Sequence, residues 1–392
     1  MTAQASVTLA LLLAGAVYGA DDRVISIPAA VDAGMYCLSR SGATPVYLSW
    51  LQPQPVSGVE LLFSRLEATG RWSNPRVIVS SRHLFSNYAD HPSIEVLPNG
   101  SLIAHWLVRN PGAKGPYGTG LEVSTSKDGG RTWRTLYRAG LSNIEDYTGF
   151  VSVLPLEKGF MMAYLAPPDV AVGEHIKTLR VAMFDAHGKT VSDDVVDADV
   201  CTCCPTATAM TPDGPVVAYR DHRANEIRDI SIVRQVNGRW QEPQTVSADG
   251  WQINGCPTDG PALYSHGSDL AVAWFTRAHD IPQVKVAFSS DSGRHFSPAL
   301  RVDAGNPMGR VDLQFTDNQD SIVSWIERTA GRTEICLRRI SRSGRMSTIQ
   351  NSGVSVEGRA AGFPKTRIVG KNVLLVWKED RLTSHIVKVP EY

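Results

Sequence analysis

Four of the six cysteines lie in two short segments and carry the most specific chemistry in the sequence. DADVCTCCPTATAM contains Cys201, Cys203 and Cys204, and WQINGCPTDGPALY contains Cys256. Such thiols can pair as disulfides, which is the ordinary expectation in an exported chain. As thiolates they can instead hold copper(I) or another thiophilic metal. The CTCC spacing lacks the two-residue gap of zinc knuckles, so zinc is not specifically indicated; a vicinal redox pair is a third alternative.

A second set of residues has the chemistry of carboxylate binding and acid–base catalysis. Arginine grips a carboxylate at two points with its planar fork, and aspartate, glutamate and histidine can transfer protons. Segments such as RDHRANEIR and TRAHD combine these types. The candidate catalytic residues are Asp90, Asp221 and Glu226. The candidate ligand-binding residues are His91, Arg220, His222, Arg228, Arg277, Arg310 and Arg359.

A repeat along the whole chain predicts the elements that position these residues. Seven apolar strands each carry one aromatic residue, at intervals of 56, 58, 55, 55, 51 and 52 residues. A short strand and a polar turn precede each one, as in SIEVLPNGSLIAHW, which indicates a hairpin. The repeated aromatics are Trp50, Trp106, Tyr164, Tyr219, Trp274, Trp325 and Trp377.

Polar turns after the repeated hairpins share a second motif. SKDGGRTW and SSDSGRHF place Ser, Asp, Gly and an aromatic residue at matching offsets, and four weaker echoes end at Trp72, Lys189, Trp240 and Met346. The two strong copies resemble the Asp-box, or BNR repeat, of bacterial sialidases and related β-propellers. The resemblance implies a structural role in turns between the third and fourth strands of a blade. Its residues here are Ser126, Asp128, Gly130, Trp133, Ser289, Asp291, Gly293 and Phe296.

Together the two repeats predict an all-β, sialidase-like propeller over residues 21–392, with seven four-stranded blades and six as the alternative. The seventh hairpin lacks a fourth strand, and RVISIP near residue 25 can supply it and close the ring. The first strands of the blades then surround a central funnel. We expect the charged candidates to line its rim and the four clustered cysteines to meet on one wall. Cys37 and Cys336 lie on other blades and are expected to be buried or paired.

The resemblance also implies a function. Sialidases hold the carboxylate of an anionic sugar with three arginines, use a tyrosine activated by glutamate as nucleophile, and an aspartate as acid and base. Arg220 and Arg310, with Arg277 or Arg359, are candidates for the clamp, and Asp90 or Asp221 for the acid and base. Glu226 is the candidate activator.

Two departures from the sialidase pattern count against hydrolysis by the usual sialidase mechanism. In the segment nearest to the Phe-Arg-Ile-Pro motif, Asp90 occupies the arginine's place, and no tyrosine occurs between Tyr264 and Tyr392. The expectation is a propeller that binds an anionic glycan or other carboxylate in its funnel, as an exo-glycosidase or without catalysis. A non-catalytic assembly module and a thiolate metal-handling protein are the alternatives, and a required cofactor is not indicated.

Composition and the amino-terminal segment bear on compartment and partners. Lys and Arg together number 39, as do Asp and Glu, which disfavours nucleic acid as a partner. The apolar run VTLALLLAGAV is too short for a transmembrane helix and is typical of a signal peptide, here residues 1–20. We therefore expect a periplasmic or secreted protein; no protein partner can be named.

Overall fold

The computed structural model describes residues 23–40, 45–113, 115, 117–141, 146–169 and 176–392. The predicted signal peptide lies outside these residues. The described chain forms seven antiparallel sheets, so the prediction of seven blades is confirmed and the six-bladed alternative is wrong. Three 3-10 turns accompany the sheets: Ala224–Glu226, Ala278–Asp280 and Gly358–Ala361. Among the described residues, no helix is long and apolar enough to cross a membrane.

Strand β1 (Arg23–Ile25) begins the described chain, and three complete blades follow it. Blade 1 contains β2 (Gly34–Leu38), β3 (Tyr47–Gln54), β4 (Gly58–Arg65) and β5 (Arg76–Ser81). Blade 2 contains β6 (Ser93–Val96), β7 (Leu102–Arg109), β8 (Thr119–Ser126) and β9 (Arg134–Ala139). Blade 3 contains β10 (Gly149–Leu156), β11 (Gly159–Ala166), β12 (Lys177–Phe184) and β13 (Thr190–Val200).

Blade 4 has a divided outer edge, in which two short strands both pair with the third strand. Its strands are β14 (Ala207–Thr211), β15 (Gly214–Arg220), β16 (Ile230–Val236), β17 (Arg239–Trp240) and β18 (Gln244–Thr245). Blade 5 contains β19 (Ala262–His266), β20 (Asp269–Thr276), β21 (Gln283–Ser289) and β22 (Leu300–Arg301). Blade 6 contains β23 (Pro307–Phe315), β24 (Ser321–Thr329), β25 (Arg332–Ile340) and β26 (Gln350–Ser355).

Blade 7 joins the two ends of the described chain. It contains β27 (Lys365–Val369), β28 (Asn372–Lys378), β29 (Leu382–Lys388) and, as its outer strand, β1. Strand β1 pairs antiparallel with β29, which confirms that RVISIP closes the ring. Ser384 reinforces the closure, since its hydroxyl donates to the carbonyl of Ile25 at 2.6 Å and accepts from Trp72 of blade 1 at 3.0 Å.

The seven repeated aromatics all lie in the second strands of their blades and are at most 4% exposed. Several of them also join neighbouring blades through their polar ends. Tyr219 of blade 4 donates to Asp197 in the outer strand of blade 3, and Trp274 of blade 5 donates to Asp249 beyond β18 at 2.7 Å. The regular spacing therefore reflects burial of large aromatic rings, and at some positions, such as Tyr219 and Trp274, a hydrogen bond to the preceding blade adds to it.

Candidate functional site

The cysteine cluster lies at the junction of blades 3, 4 and 5. Cys201 directly follows β13, and its N–H donates to the carbonyl of Arg220 at the end of β15, at 3.1 Å. Val200 and Asp221 form a bridge beside this bond. The segment with Cys203 and Cys204 therefore leads directly into β14, the first strand of blade 4, from a hydrogen-bonded start at Cys201.

The sulfur atoms of this segment lie close together. Cys201 Sγ is 3.5 Å from Cys204 Sγ and 3.9 Å from Cys203 Sγ. The three sulfurs lie within 4.8 Å of one another. Cys256 lies in the loop before blade 5 and is outside this group of three. The structure therefore brings three of the four predicted cysteines together and places Cys256 on the loop of the neighbouring blade.

All six cysteines of the chain are free in this structure, so the expected disulfides are absent from it. The 3.5 Å separation is far above the sulfur–sulfur bond length of about 2.05 Å. Cys336 is buried in β25 and Cys37 is half-buried in β2, both apart from the cluster.

Arg220 hydrogen-bonds the backbone of the segments around the cluster. Its side chain is buried, and its guanidinium donates to three carbonyl oxygens, those of Asp259 at 2.9 Å, Arg228 at 2.6 Å and Phe275 at 2.8 Å. It also stacks over the ring of Trp251, 4.6 Å from the centroid. The guanidinium thus fixes the loops of blades 4 and 5 while placing a positive charge near the sulfurs.

Arg228 links the cysteines to a chain of polar groups. It lies beside Cys201 and donates to Glu226 at 2.6 Å. The ring of His222 lies between Glu226, at 3.4 Å from Nε2, and Asp199, at 2.7 Å from Nδ1. The arrangement connects a buried sulfur to partly exposed carboxylates through a histidine.

The surroundings shift the thiol pKa values in opposite directions. Hydrogen bonds from Cys203 and Cys204, together with the nearby Arg220 and Arg228, lower the pKa of Cys201 well below its usual value of 9.0. A hydrogen bond from Cys203 lowers the pKa of Cys256 to about 6. Burial raises the pKa of Cys204. Neighbouring thiols and arginines therefore favour ionisation of Cys201 and Cys256, whereas burial disfavours ionisation of Cys204.

The central channel is crossed by side chains. Tyr88 of the loop before blade 2 donates to Thr258 of the loop before blade 5 at 3.0 Å, and these blades are not neighbours in the ring. Arg359 stacks on Tyr88 at 5.1 Å. Lower in the channel, Arg40 of blade 1 reaches the carbonyl of Leu263 in blade 5 at 2.7 Å. Side-chain contacts therefore bridge opposite walls of the predicted funnel.

No known family model matches the sequence, and no curated protein does. A protein of unknown function from Dyadobacter fermentans matches the structure with a TM-score of 0.53 at 14% identity, over 94% of this chain and 98% of that one. The Hadza microbial sialidase Hz136 matches with a TM-score of 0.50 at 16% identity, over 88% and 76% of the two chains. The fold is that of a sialidase-like β-propeller. NanB sialidase from Streptococcus pneumoniae shares 10% identity over 92% of this chain and 68% of its own, with a TM-score of 0.45.

The arginines proposed as a clamp are engaged elsewhere in this sialidase-like propeller. Arg310 donates to the carbonyls of Gly362 and Gly358, each at 2.7 Å, and its backbone has a φ of 59°. Arg220 is enclosed, as described above, and the side chain of Arg277 is exposed beside Asp280. These contacts favour structural roles for Arg220 and Arg310, and they do not bring three arginines to one binding point.

The predicted catalytic carboxylates have separate hydrogen-bond partners. Asp90 is buried and accepts from Tyr147 at 3.0 Å and from the N–H of Phe150. Burial raises its pKa to about 6. Asp221 is buried as well and accepts from Arg223 at 2.9 Å and Ser231 at 2.8 Å. Beside Asp90, the ring of His91 packs in the mouth against Phe363, with centroids 5.4 Å apart.

Two aspartates that the sequence reasoning passed over are central to the arrangement. Asp259 accepts from the N–H of Arg310 at 2.6 Å, while its own carbonyl holds Arg220. Asp199 orients the ring of His222. Asp259 lies three residues after Cys256, and Asp199 lies two residues before Cys201. This closeness to the cysteines was the signal in the sequence that could have identified them.

The two Asp-boxes lie in turns between third and fourth strands, in blades 2 and 5. In the first, Asp128 accepts from Ser126 at 2.8 Å and from the N–H of Thr132 at 3.0 Å, while Ser126 accepts from Gly130. Asp291 and Ser289 repeat this pattern. Trp133 and Phe296 both pack against the hydrophobic core beside their turns. The side chains bond their own turns, far from the cysteine cluster.

Proposed function

We propose that this sialidase-like propeller binds a thiophilic metal ion, of the copper(I) class, through Cys201, Cys203 and Cys204. The observation that carries the proposal is the grouping of three sulfurs within 4.8 Å of one another. With metal–sulfur bonds of about 2.3 Å, three sulfurs around one ion stand about 3.8 to 4.0 Å apart. The separations of 3.5 and 3.9 Å need to change by only a few tenths of an ångström.

The chemistry around the sulfurs supports metal binding over simple burial. Metal binding requires thiolates, and Arg220 and Arg228 supply positive charge beside Cys201 that offsets the negative charge of a loaded site. A disulfide between Cys203 and Cys204 is disfavoured because adjacent Cα atoms are about 3.8 Å apart, below the usual range for disulfides. A disulfide that includes Cys201 or Cys256 is the competing outcome.

The test is a metal titration of protein purified in reductant without oxygen. Copper(I) is added against a chromophoric copper(I) chelator, and zinc is added in parallel to define selectivity. We expect about one tightly held copper(I) per chain, lost when Cys201, Cys203 and Cys204 are all changed to serine. Cys336→Ser is the matched control, because this buried cysteine lies outside the cluster. Equal copper retention by the wild type and the triple variant would refute the proposal.

Binding of an anionic glycan or carboxylate is the second candidate. It is supported by the cavity in the central channel, to which all seven blades contribute and in which Arg40 and Lys365 supply basic groups. Hydrolysis would draw on Asp90 or Asp221 as acid and base. A panel of fluorogenic glycosides that includes a sialoside tests turnover, and calorimetry with free sialic acid tests binding alone. Heat of binding that is unchanged in Lys365→Ala would count against this cavity.

Export to the periplasm or medium is part of the same proposal, supported by the apolar segment near the amino terminus. Fractionation of cells that express the tagged full chain tests it. Recovery of the protein, uncleaved, with the cytoplasm would contradict export.

A further inference from the structure

A groove of about 580 Å³ lies between blade 1 and the Asp-box turn of blade 2. None of the residues that line it belongs to the cysteine cluster or lines the cavity in the central channel. Sites for small molecules usually measure about 300–1,000 Å³. The groove therefore has the size of a small-molecule site, at a place that neither proposed function uses.

Three arginines from separate segments line this groove. Arg65 ends β4, Arg76 begins β5, and Arg131 lies in the Asp-box turn of blade 2. All three are exposed. The turns between the third and fourth strands of the two neighbouring blades thus bring guanidinium groups from both blades to one groove.

Two of these guanidinium groups are held by backbone carbonyls. Arg76 Nη1 donates to the carbonyl of Gly129 across the junction of the blades at 2.6 Å, and Arg131 Nη1 donates to the carbonyl of Asp128 at 3.3 Å. Within the described part of the chain, each guanidinium makes only this one hydrogen bond. Because a guanidinium carries five N–H donors, the bonds orient both groups and leave donors for a ligand.

Tyr47 adds a mostly buried hydroxyl to the lining of the groove. The residue is 9% exposed, and its ring packs against Phe63 with centroids 5.9 Å apart. Among the described residues, the hydroxyl of Tyr47 has no hydrogen-bond partner. A tyrosine buried to this extent usually has one, so the unpaired hydroxyl is a second, independent indication of a ligand.

The charges and polar groups of the lining define the class of ligand. The three arginines face two carboxylates, Glu67 and Asp128, which leaves one net positive charge. Asp128 accepts four hydrogen bonds from its own turn, whereas Glu67 is partly exposed and only contacts Arg65, at 3.4 Å. One net charge matches a ligand with a single acidic group. Glu67 and the exposed amide of Asn74 are suited to hydroxyl groups.

We propose that this groove binds a small saccharide that carries one oxyanion group, a carboxylate or a sulfate. Arg76 and Arg131 bind the oxyanion, because the planar fork of arginine pairs with two oxygens at once, and Tyr47 donates to the same group. Glu67 and Asn74 bind sugar hydroxyls. The site depends neither on the proposed metal site nor on the cavity in the central channel.

The test measures binding of glucuronic acid, glucose 6-sulfate and neutral glucose to the full chain by ligand-observed NMR titration. We expect both Arg76→Ala and Arg131→Ala to weaken binding of an anionic sugar by about tenfold, as for loss of a charge-assisted hydrogen bond. Tyr47→Phe should weaken it by about threefold. Arg71→Ala is the matched control, because this arginine is exposed in the same turn of blade 1 but outside the groove.

The anionic sugar that binds more tightly identifies the oxyanion as a carboxylate or a sulfate. Equal binding of glucose, unchanged affinity in both arginine variants, or failure of both anionic sugars to bind the folded wild type at millimolar concentration would overturn the proposal. Loss of binding in Lys365→Ala, with full binding in the arginine variants, would assign the sugar to the channel instead. Thermal denaturation verifies folding, and Arg131→Ala still tests the groove if Arg76→Ala disturbs the Asp-box turn.

Discussion

Gly260 of blade 5 packs directly against the backbone carbonyl of Pro205 in blade 4. A Cβ placed on Gly260 would overlap that oxygen, which belongs to rigid backbone rather than to a flexible side chain. Pro205 directly follows Cys204, and Gly260 lies four residues after Cys256. This approach of two backbones therefore sets the distance between the two segments that carry the cysteines.

Gly260→Ala should push these segments apart. We expect it to destabilise the protein by about 1–3 kcal/mol, the usual cost of overpacking, and to weaken copper(I) binding. Gly255→Ala is the control from the same loop, because its added Cβ would meet only Ile253, at 3.8 Å. Urea denaturation and copper competition measure the two effects. Similar behaviour of both variants would show that the contact does not position the site.

Ring closure should depend on the hydroxyl of Ser384. Ser384→Ala removes the two hydrogen bonds that join Ile25 and Trp72 to blade 7 and leaves both partners buried or nearly so. The expected loss is about 1–3 kcal/mol in the free energy of unfolding. Ser80→Ala, on the exposed outer strand of blade 1, is the control and should have little effect. An equally stable Ser384→Ala variant would mean that backbone pairing of β1 alone closes the ring.

Arg310 should contribute to the stability of the fold rather than to ligand binding. Arg310→Ala removes the two bonds to the carbonyls of Gly362 and Gly358, and we expect a loss of about 2–4 kcal/mol. Arg277→Ala, at an exposed position, should leave the melting temperature unchanged. Thermal denaturation compares them. If ligand binding or turnover fell in Arg310→Ala with no loss of stability, the clamp assignment would be favoured instead.

The repeats made the architecture predictable, whereas the site was only partly so. Periodic aromatic residues such as Trp274 are predictable because the second strand of every blade buries a large ring. The pairing of β1 was predictable because blade 7 otherwise lacks a fourth strand. The adjacency of the segments that carry Cys204 and Cys256 followed from the same geometry, because equivalent points of neighbouring blades lie side by side.

The hydrogen-bond partners of the arginines could not be predicted from the sequence. Whether a guanidinium faces a ligand or a backbone carbonyl depends on loop conformation, and the left-handed backbone of Arg310 gives no pattern in the chain. The crossing of the channel by Tyr88 and Thr258 is equally a property of loops. The regular strands determine which residues lie near one another in the fold. The conformations of the irregular loops determine which hydrogen bonds and contacts those residues make.

His105 in β7 should make the protein sensitive to acid. It is 1% exposed, and neither ring nitrogen has a hydrogen-bond partner among the described residues. Burial lowers its pKa from 6.5 to about 3. The unfolded chain therefore takes up a proton below about pH 6.5 that the folded chain does not. Stability is lost progressively as the pH falls from there towards 3, by about 2 kcal/mol at pH 5.

Other buried groups partly mask this effect in the wild type. The pKa of His91 is also lowered to about 3, which adds to the loss of stability in acid. Burial raises the pKa of Asp90 and Asp259 to about 6, and these carboxyls contribute stability as the pH falls from 6 towards 3.8. The contribution of His105 is therefore visible only when the wild type is compared with a variant.

The comparison is between wild type and His105→Leu, with unfolding free energies from urea titrations at pH 8 and pH 5. The leucine fills a similar volume and leaves no unpaired nitrogen, so we expect little loss at pH 8 and a relative gain of about 2 kcal/mol at pH 5. His83→Leu, at an exposed position, should show no such dependence. A stability difference that is the same at both pH values would mean that His105 titrates normally in the folded protein, because only a pKa displaced by folding makes the difference depend on pH.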